Sequence, residues 1–122
     1  MKQFTKQELI DFESEVVRKY KEGNTYGPVH LSGGNEEQLL EIFKNIKERD
    51  WVFSTHRSHY HALLKSGNKD WLMNEIIVNA NSSHINSAKY KIFTSAIVGG
   101  IIPIALGNAL GIKLKEKQYV KR

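Results

Sequence analysis

Cysteine is absent from the chain. That excludes disulfides and zinc sites built on thiolates, and it makes a reducing compartment such as the cytoplasm the simpler expectation. The first residues, MKQFTKQELIDF, lack an apolar core followed by small residues, so no secretory signal is expected. No internal repeat or low-complexity tract is present, and only short pieces read as strands. Carboxylates are missing from the one histidine cluster, STHRSHYH at 54–61. Charge of either sign is missing over the 21 residues from 92 to 112.

What is present suits one domain or part of one: 122 residues, 40% hydrophobic and 25% charged, which is enough to bury a modest core. The formal net charge of +5 and a pI near 9.4 favour anionic partners without choosing among them. Much of the excess lies in KLKEKQYVKR, a run of the kind that is usually solvated.

Helices dominate the local pattern. Thr5 with Glu8 predicts a capping box, opening a helix with the stripe Leu9, Phe12, Val16, Val17 and Tyr20 and a stop at Gly23-Asn24. NTYGPVHLSGGN reads as a loop. Asn35 is placed to cap a second helix with Glu36 and Glu37 in its first turn and Leu39, Leu40, Ile42, Phe43 and Ile46 on its apolar face. DWVFS is a short extended piece. A helix from His59 to Lys65 ends at Gly67, and Asp70 caps another through Ile77. NANSSHINSAKY is loop-like. IFTSAIVGG then leads to a helix opening near Pro103 and running to about Lys117.

The uncharged run is long enough to cross a bilayer, and GNALG has small-xxx-small spacing. Four glycines, a proline, Thr94, Ser95 and Asn108 count against a span. A small membrane-associated or helical interaction protein using 92–112 is therefore the alternative reading.

The histidine cluster admits several chemistries. As a metal site, His56, His59 and His61 with His84 match no strong template, because one turn beyond His59 stands Leu63, which cannot ligate. A nucleic-acid patch lacks a recognition helix or a stacking motif, and Trp51, Tyr60 and Trp71 read as core or helix-face residues, so no nucleic-acid partner is expected. An anion grip is better supported, since Arg57 follows an extended piece and precedes a helix. A surface pair of Arg57 with Asp50 or Glu48 is the even alternative. Gly99-Gly100 before a helix permits a sharp turn or a close approach to a ligand.

The order of the pieces adds specificity. GPVHLSGGNEE, DWVFSTHRSHYHALLKSG, SSHI and FTSAIVGGIIPIALGNALGIK together resemble the alpha subunit of thiamine-diphosphate-dependent 2-oxo acid dehydrogenases, over about His30 to Lys113. His30, Gly34 and Glu36 stand where the family has a His and a Gly-x-Glu stretch. The family's Tyr-Arg pair, which grips the cofactor's diphosphate, corresponds to His56-Arg57, so Arg57 carries over directly and His56 replaces the tyrosine. The resemblance puts His59 and His84 at the reacting end as catalytic candidates; the family's Gly-Ser-Met-His appears as Asn81-Ser82-Ser83-His84. It puts the backbone of Ala96 and Val98 against the aminopyrimidine ring.

The resemblance also implies an α/β fold: the N-terminal part of a thiamine-diphosphate-binding, doubly wound parallel-sheet domain, mostly helical within this chain. Residues 1–122 are expected to be a single partial domain, with a helical N-terminal segment over 1–50 and a cofactor-binding segment over 51–122. The family's Gly-Asp-Gly and asparagine that hold Mg2+ are expected beyond the C-terminus, so no metal ligand is assigned here. The expected partners are the remainder of the alpha subunit, a beta subunit and a 2-oxo acid. No membrane partner is expected on this reading.

Overall fold

A computed structural model describes residues 2–23 and 25–120, with side chains up to residue 117. The elements are α1 (Lys6–Lys21), α2 (Glu36–Phe43), β1 (Val52–Ser54), α3 (His59–Ser66), α4 (Lys69–Ile77), β2 (Ile92–Thr94) and α5 (Ile101–Val120). The content is mostly helical with one small parallel sheet, consistent with an α/β class.

α1 opens with the expected capping box, Thr5 and Glu8 each closing on the other's backbone. It ends at Lys21, and Gly23 turns the chain at φ +76°. Asn24, the other half of the expected stop, lies outside the described residues. Leu9, Phe12 and Val16 are buried, but Val17 is only half-buried and Tyr20 is exposed. The fourth buried position of this face is instead Glu13.

Two expected caps differ. Asn35 does stand before α2, but its side chain makes no capping bond; Glu36 bends back to accept from the Gly34 amide at 2.7 Å. α4 is capped by Asn68, whose Oδ1 accepts from the Trp71 amide at 2.9 Å, and Asp70 lies in the first turn. α3 ends as expected, with Gly67 left-handed at φ +64°.

β1 and β2 pair in parallel, Val52 with Ile92, Phe53 with Phe93 and Ser54 with Thr94. Parallel strands need a long crossover, and α3 and α4 supply it. The core lies between α1, α3, α4 and this pair, with Leu9, Phe12, Val16, Leu63, Leu72, Ile76 and Ile92 buried.

The membrane alternative is corrected here. Residues 92–112 form no continuous helix: β2 occupies 92–94, a turn through Gly99 at φ +79° follows, and α5 begins at Ile101, with Pro103 in its first turn. Among the described residues no helix is long and apolar enough to cross a membrane.

Candidate functional site

Both strands of the parallel pair run in one direction, so both of their exits lie at one edge of the sheet. β1 leads through Thr55 to Ser58 into α3, and β2 leads through Ser95 to Gly100 into α5. The Ser95 amide donates to the Ser54 carbonyl at 3.2 Å, which ties the two exits together. The expected diphosphate residues His56 and Arg57 sit on the first connection, and Ala96 and Val98 on the second. In parallel α/β sheets, ligands bind at this carboxyl edge.

A third segment joins them. Residues 30–34 are strapped down through successive backbone groups. The His30 amide donates to Ser82 Oγ at 3.2 Å, and Arg57 Nη1 donates to the Leu31 carbonyl at 3.0 Å. The amides of Ser32 and Gly33 donate to Glu13 Oε1 at 2.5 and 3.1 Å. The His30 ring meets the His56 ring edge-on, with centroids 4.9 Å apart. Arg57 thus pairs with neither Asp50 nor Glu48. The Asp50 carboxylate accepts from the Lys47 amide.

The surface of this site is cationic. Arg57 is exposed and His56 half-buried. His30 has its pKa lowered, first by burial and then by electrostatic contributions from its neighbours His56, Arg57 and His59. α3 starts beside Arg57 with no acidic residue in its own first turn and no side-chain cap, so the positive end of its dipole stands beside the guanidinium. The Ser58 Oγ at that start is buried and has no hydrogen-bond partner among the described residues. A forked guanidinium, imidazoles and a helix N-terminus form a donor set suited to a phosphate-bearing group.

Below this surface lies a buried polar layer. His59 is 0% exposed. Its Nε2 is 2.8 Å from Ser82 Oγ, and its Nδ1 faces Glu13 Oε2 at 3.5 Å. Tyr60 follows, bonded to Glu36, and its pKa is raised by burial and then by the charges of Glu13 and Glu36.

The cluster's histidines therefore separate. His56 meets His30, His59 lies between Glu13 and Ser82, and His61 bonds Ser54 through Nδ1 and stacks on Phe43. Burial lowers the His61 pKa. His84 is exposed, its amide bonded to the Asn81 carbonyl. Among the described residues no three His, Asp or Glu side chains converge to hold a metal.

The glycine pair has a local reason. A Cβ on Gly100 would lie 3.1 Å from both Ile97 Cβ and Ser95 Oγ, a tight fit that favours glycine in this turn. Ala96 and Val98 are exposed. Among the described residues their backbone groups make no hydrogen bond within the chain.

Glu13 and Ser82 were not among the expected site residues. Glu13 had a readable signal: a charge at the i+4 position from Leu9 and i−3 from Val16, on the face that must be buried. Ser82 had none beyond its place in Asn81-Ser82-Ser83-His84.

Residues 5–121 match a family model described as Dehydrogenase E1 component. The alpha subunit of acetoin:2,6-dichlorophenolindophenol oxidoreductase from Bacillus subtilis (strain 168) is 32% identical, over 93% of this chain and 37% of that protein. The chloroplastic pyruvate dehydrogenase E1 component subunit alpha-3 of Oryza sativa subsp. japonica is 30% identical, over 87% and 27%. The pyruvate dehydrogenase E1 component subunit alpha of Porphyra purpurea is 32% identical, over 81% and 31%. The chain spans roughly a third of the length of these relatives. No solved structure matches it.

Proposed function

Because this chain belongs to the dehydrogenase E1 component family, we propose that it is the N-terminal part of the alpha subunit of a thiamine-diphosphate-dependent 2-oxo acid dehydrogenase. It forms the diphosphate-facing wall of a cofactor site that the rest of the alpha subunit and a beta subunit complete. The observation that carries the proposal is the convergence of the 30–34, 55–58 and 95–100 segments at the carboxyl edge of one parallel pair.

Arg57, with His56 beside it, binds the diphosphate through charge-assisted hydrogen bonds. The backbone at Ala96 and Val98 receives the aminopyrimidine. Thiamine diphosphate, when bound, supplies a carbanion and then an electron sink. The ligands of its Mg2+ lie outside this chain. His84 lines the substrate end, where an imidazole can move a proton or offset negative charge. His59 serves the same end from the layer beneath, through Ser82 and the His30 amide. His30, its pKa lowered by burial and by its neighbours His56, Arg57 and His59, stands at the surface of the wall. On this reading 1–50 is a helical N-terminal segment and 51–122 the cofactor-binding segment of one doubly wound parallel-sheet domain. The substrate is a 2-oxo acid or a related carbonyl compound, and the cytoplasm suits a chain without cysteine.

The experiment compares the chain alone with the chain assembled with the rest of the alpha subunit and a beta subunit. Thiamine diphosphate with Mg2+ shifts the melting temperature of the isolated chain little. The assembly reduces an artificial electron acceptor at the expense of a 2-oxo acid only when the cofactor is added. A large saturable shift in the isolated chain, or turnover of the assembly without cofactor, contradicts the proposal.

A further inference from the structure

The buried layer under the site has a directional hydrogen-bond order. Glu13 Oε1 is committed to the Ser32 and Gly33 amides, so Oε2 is the oxygen turned to His59. Glu13 Oε2 and His59 Nδ1 are both fully buried, neither has a hydrogen-bond partner among the described residues, and they face each other at 3.5 Å. A carboxylate oxygen only accepts, so it selects the imidazole with the proton on Nδ1. On a neutral ring that leaves Nε2 as an acceptor, and the Ser82 hydroxyl, 2.8 Å away, donates to it. Ser82 Oγ keeps lone pairs for the His30 amide, which donates to it at 3.2 Å. The opposite tautomer would set two bare acceptors against each other in a site without water contact.

We propose that Glu13 is a positioning residue: it fixes His59 in the Nδ1–H tautomer and, through His59 and Ser82, aligns the His30 amide at the site's edge, while its other oxygen clamps Ser32 and Gly33. One α1 carboxylate thus grips the 30–34 segment twice, directly and through two intervening side chains. The relay is independent of any ligand. Its consequence, that Glu13 sets where His30 and Leu31 stand relative to Arg57, rests on the cofactor-wall reading above.

The test is the protonation of the His59 ring, read by long-range nitrogen–proton NMR on the full 122-residue chain, with the ring assigned through its own side-chain carbons. In the wild type, Nδ1 carries the proton and Nε2 is bare. In Glu13→Gln, the amide oxygen keeps accepting from Ser32 and Gly33, which turns the amide nitrogen toward Nδ1. Two donors then face each other, so His59 changes to the Nε2–H tautomer and donates to Ser82. A side chain that merely fills space would leave the tautomer unchanged. A wild-type His59 protonated on Nε2, or on both nitrogens, overturns the proposal, as does an unchanged tautomer in Glu13→Gln. If that variant does not fold, the wild-type spectrum alone decides. Because no ligand is added, a failure of the cofactor reading leaves this result standing, and the reverse also holds.

Discussion

Glu13 shows how a single residue ties sequence to site. It occupies a core position of α1, between Phe12 and Val16, yet it carries a charge. Such a residue is costly to bury unless its oxygens are used: two backbone amides donate to Oε1, and the His59 ring faces Oε2 at 3.5 Å. Glu13→Ala should therefore lower unfolding free energy by about 2–4 kcal/mol, because buried donors lose their acceptor. Urea denaturation measures it, and a loss within about 0.5 kcal/mol of zero would place Glu13 among ordinary surface residues. The position was legible in the sequence, but its partners were not, since they come from a loop and from α3. His61 makes a second case at this scale. Burial lowers its pKa in the folded chain, so the folded state binds fewer protons than the unfolded one just below the ordinary value. Its contribution is complete above about pH 6.5, declines as the pH falls from there to the folded pKa, and is constant below. His61→Gln should flatten the decline in stability below about pH 6.5. Identical pH profiles for the two proteins would show that His61 titrates normally.

At the scale of elements, the caps and stops were mostly readable, and the differences have local causes. The capping box at Thr5 and the stop at Gly67 follow from side chains adjacent in sequence. Asp70 gave way to Asn68 because α4 starts one residue after Asn68, whose amide oxygen reaches Trp71 while its nitrogen donates to Tyr90. That second bond spans 22 residues and leaves no trace in local sequence. Gly67 offers a direct test of α3's end. Alanine there would hold a left-handed backbone and bring its Cβ to 3.1 Å from the Lys2 Cβ. Gly67→Ala should cost about 1–2 kcal/mol and lower the melting temperature by roughly 4–8 °C. An unchanged melting temperature would mean that the turn relaxes without strain.

At the scale of the whole molecule, the family was legible from the order of motifs, and residues 5–121 match it. The arrangement of the site was less so. Parallel pairing of two three-residue strands depends on residues 40 positions apart, and no local pattern announces it. The uncharged run at 92–112 looked like a span because composition does not record the turn at Ser95 to Gly100. α5 carries apolar residues on several sides, with Ile102, Ile104, Leu106, Leu110 and Ile112 exposed. A helix apolar all round belongs inside a larger body. The isolated chain should therefore self-associate as its concentration rises. Sedimentation velocity would show it, and Leu106→Gln with Leu110→Gln should reduce it. A monomer at every concentration, in both proteins, would contradict this.

The central claim is that the carboxyl edge of the parallel pair holds the diphosphate of thiamine diphosphate through Arg57. The direct measurement is the dissociation constant of thiamine diphosphate, at fixed Mg2+, for the assembled enzyme with wild-type chain and with Arg57→Ala. Loss of a charged hydrogen-bond donor of about 1.5–3 kcal/mol predicts affinity weakened roughly 10- to 150-fold. An unchanged dissociation constant would contradict the account.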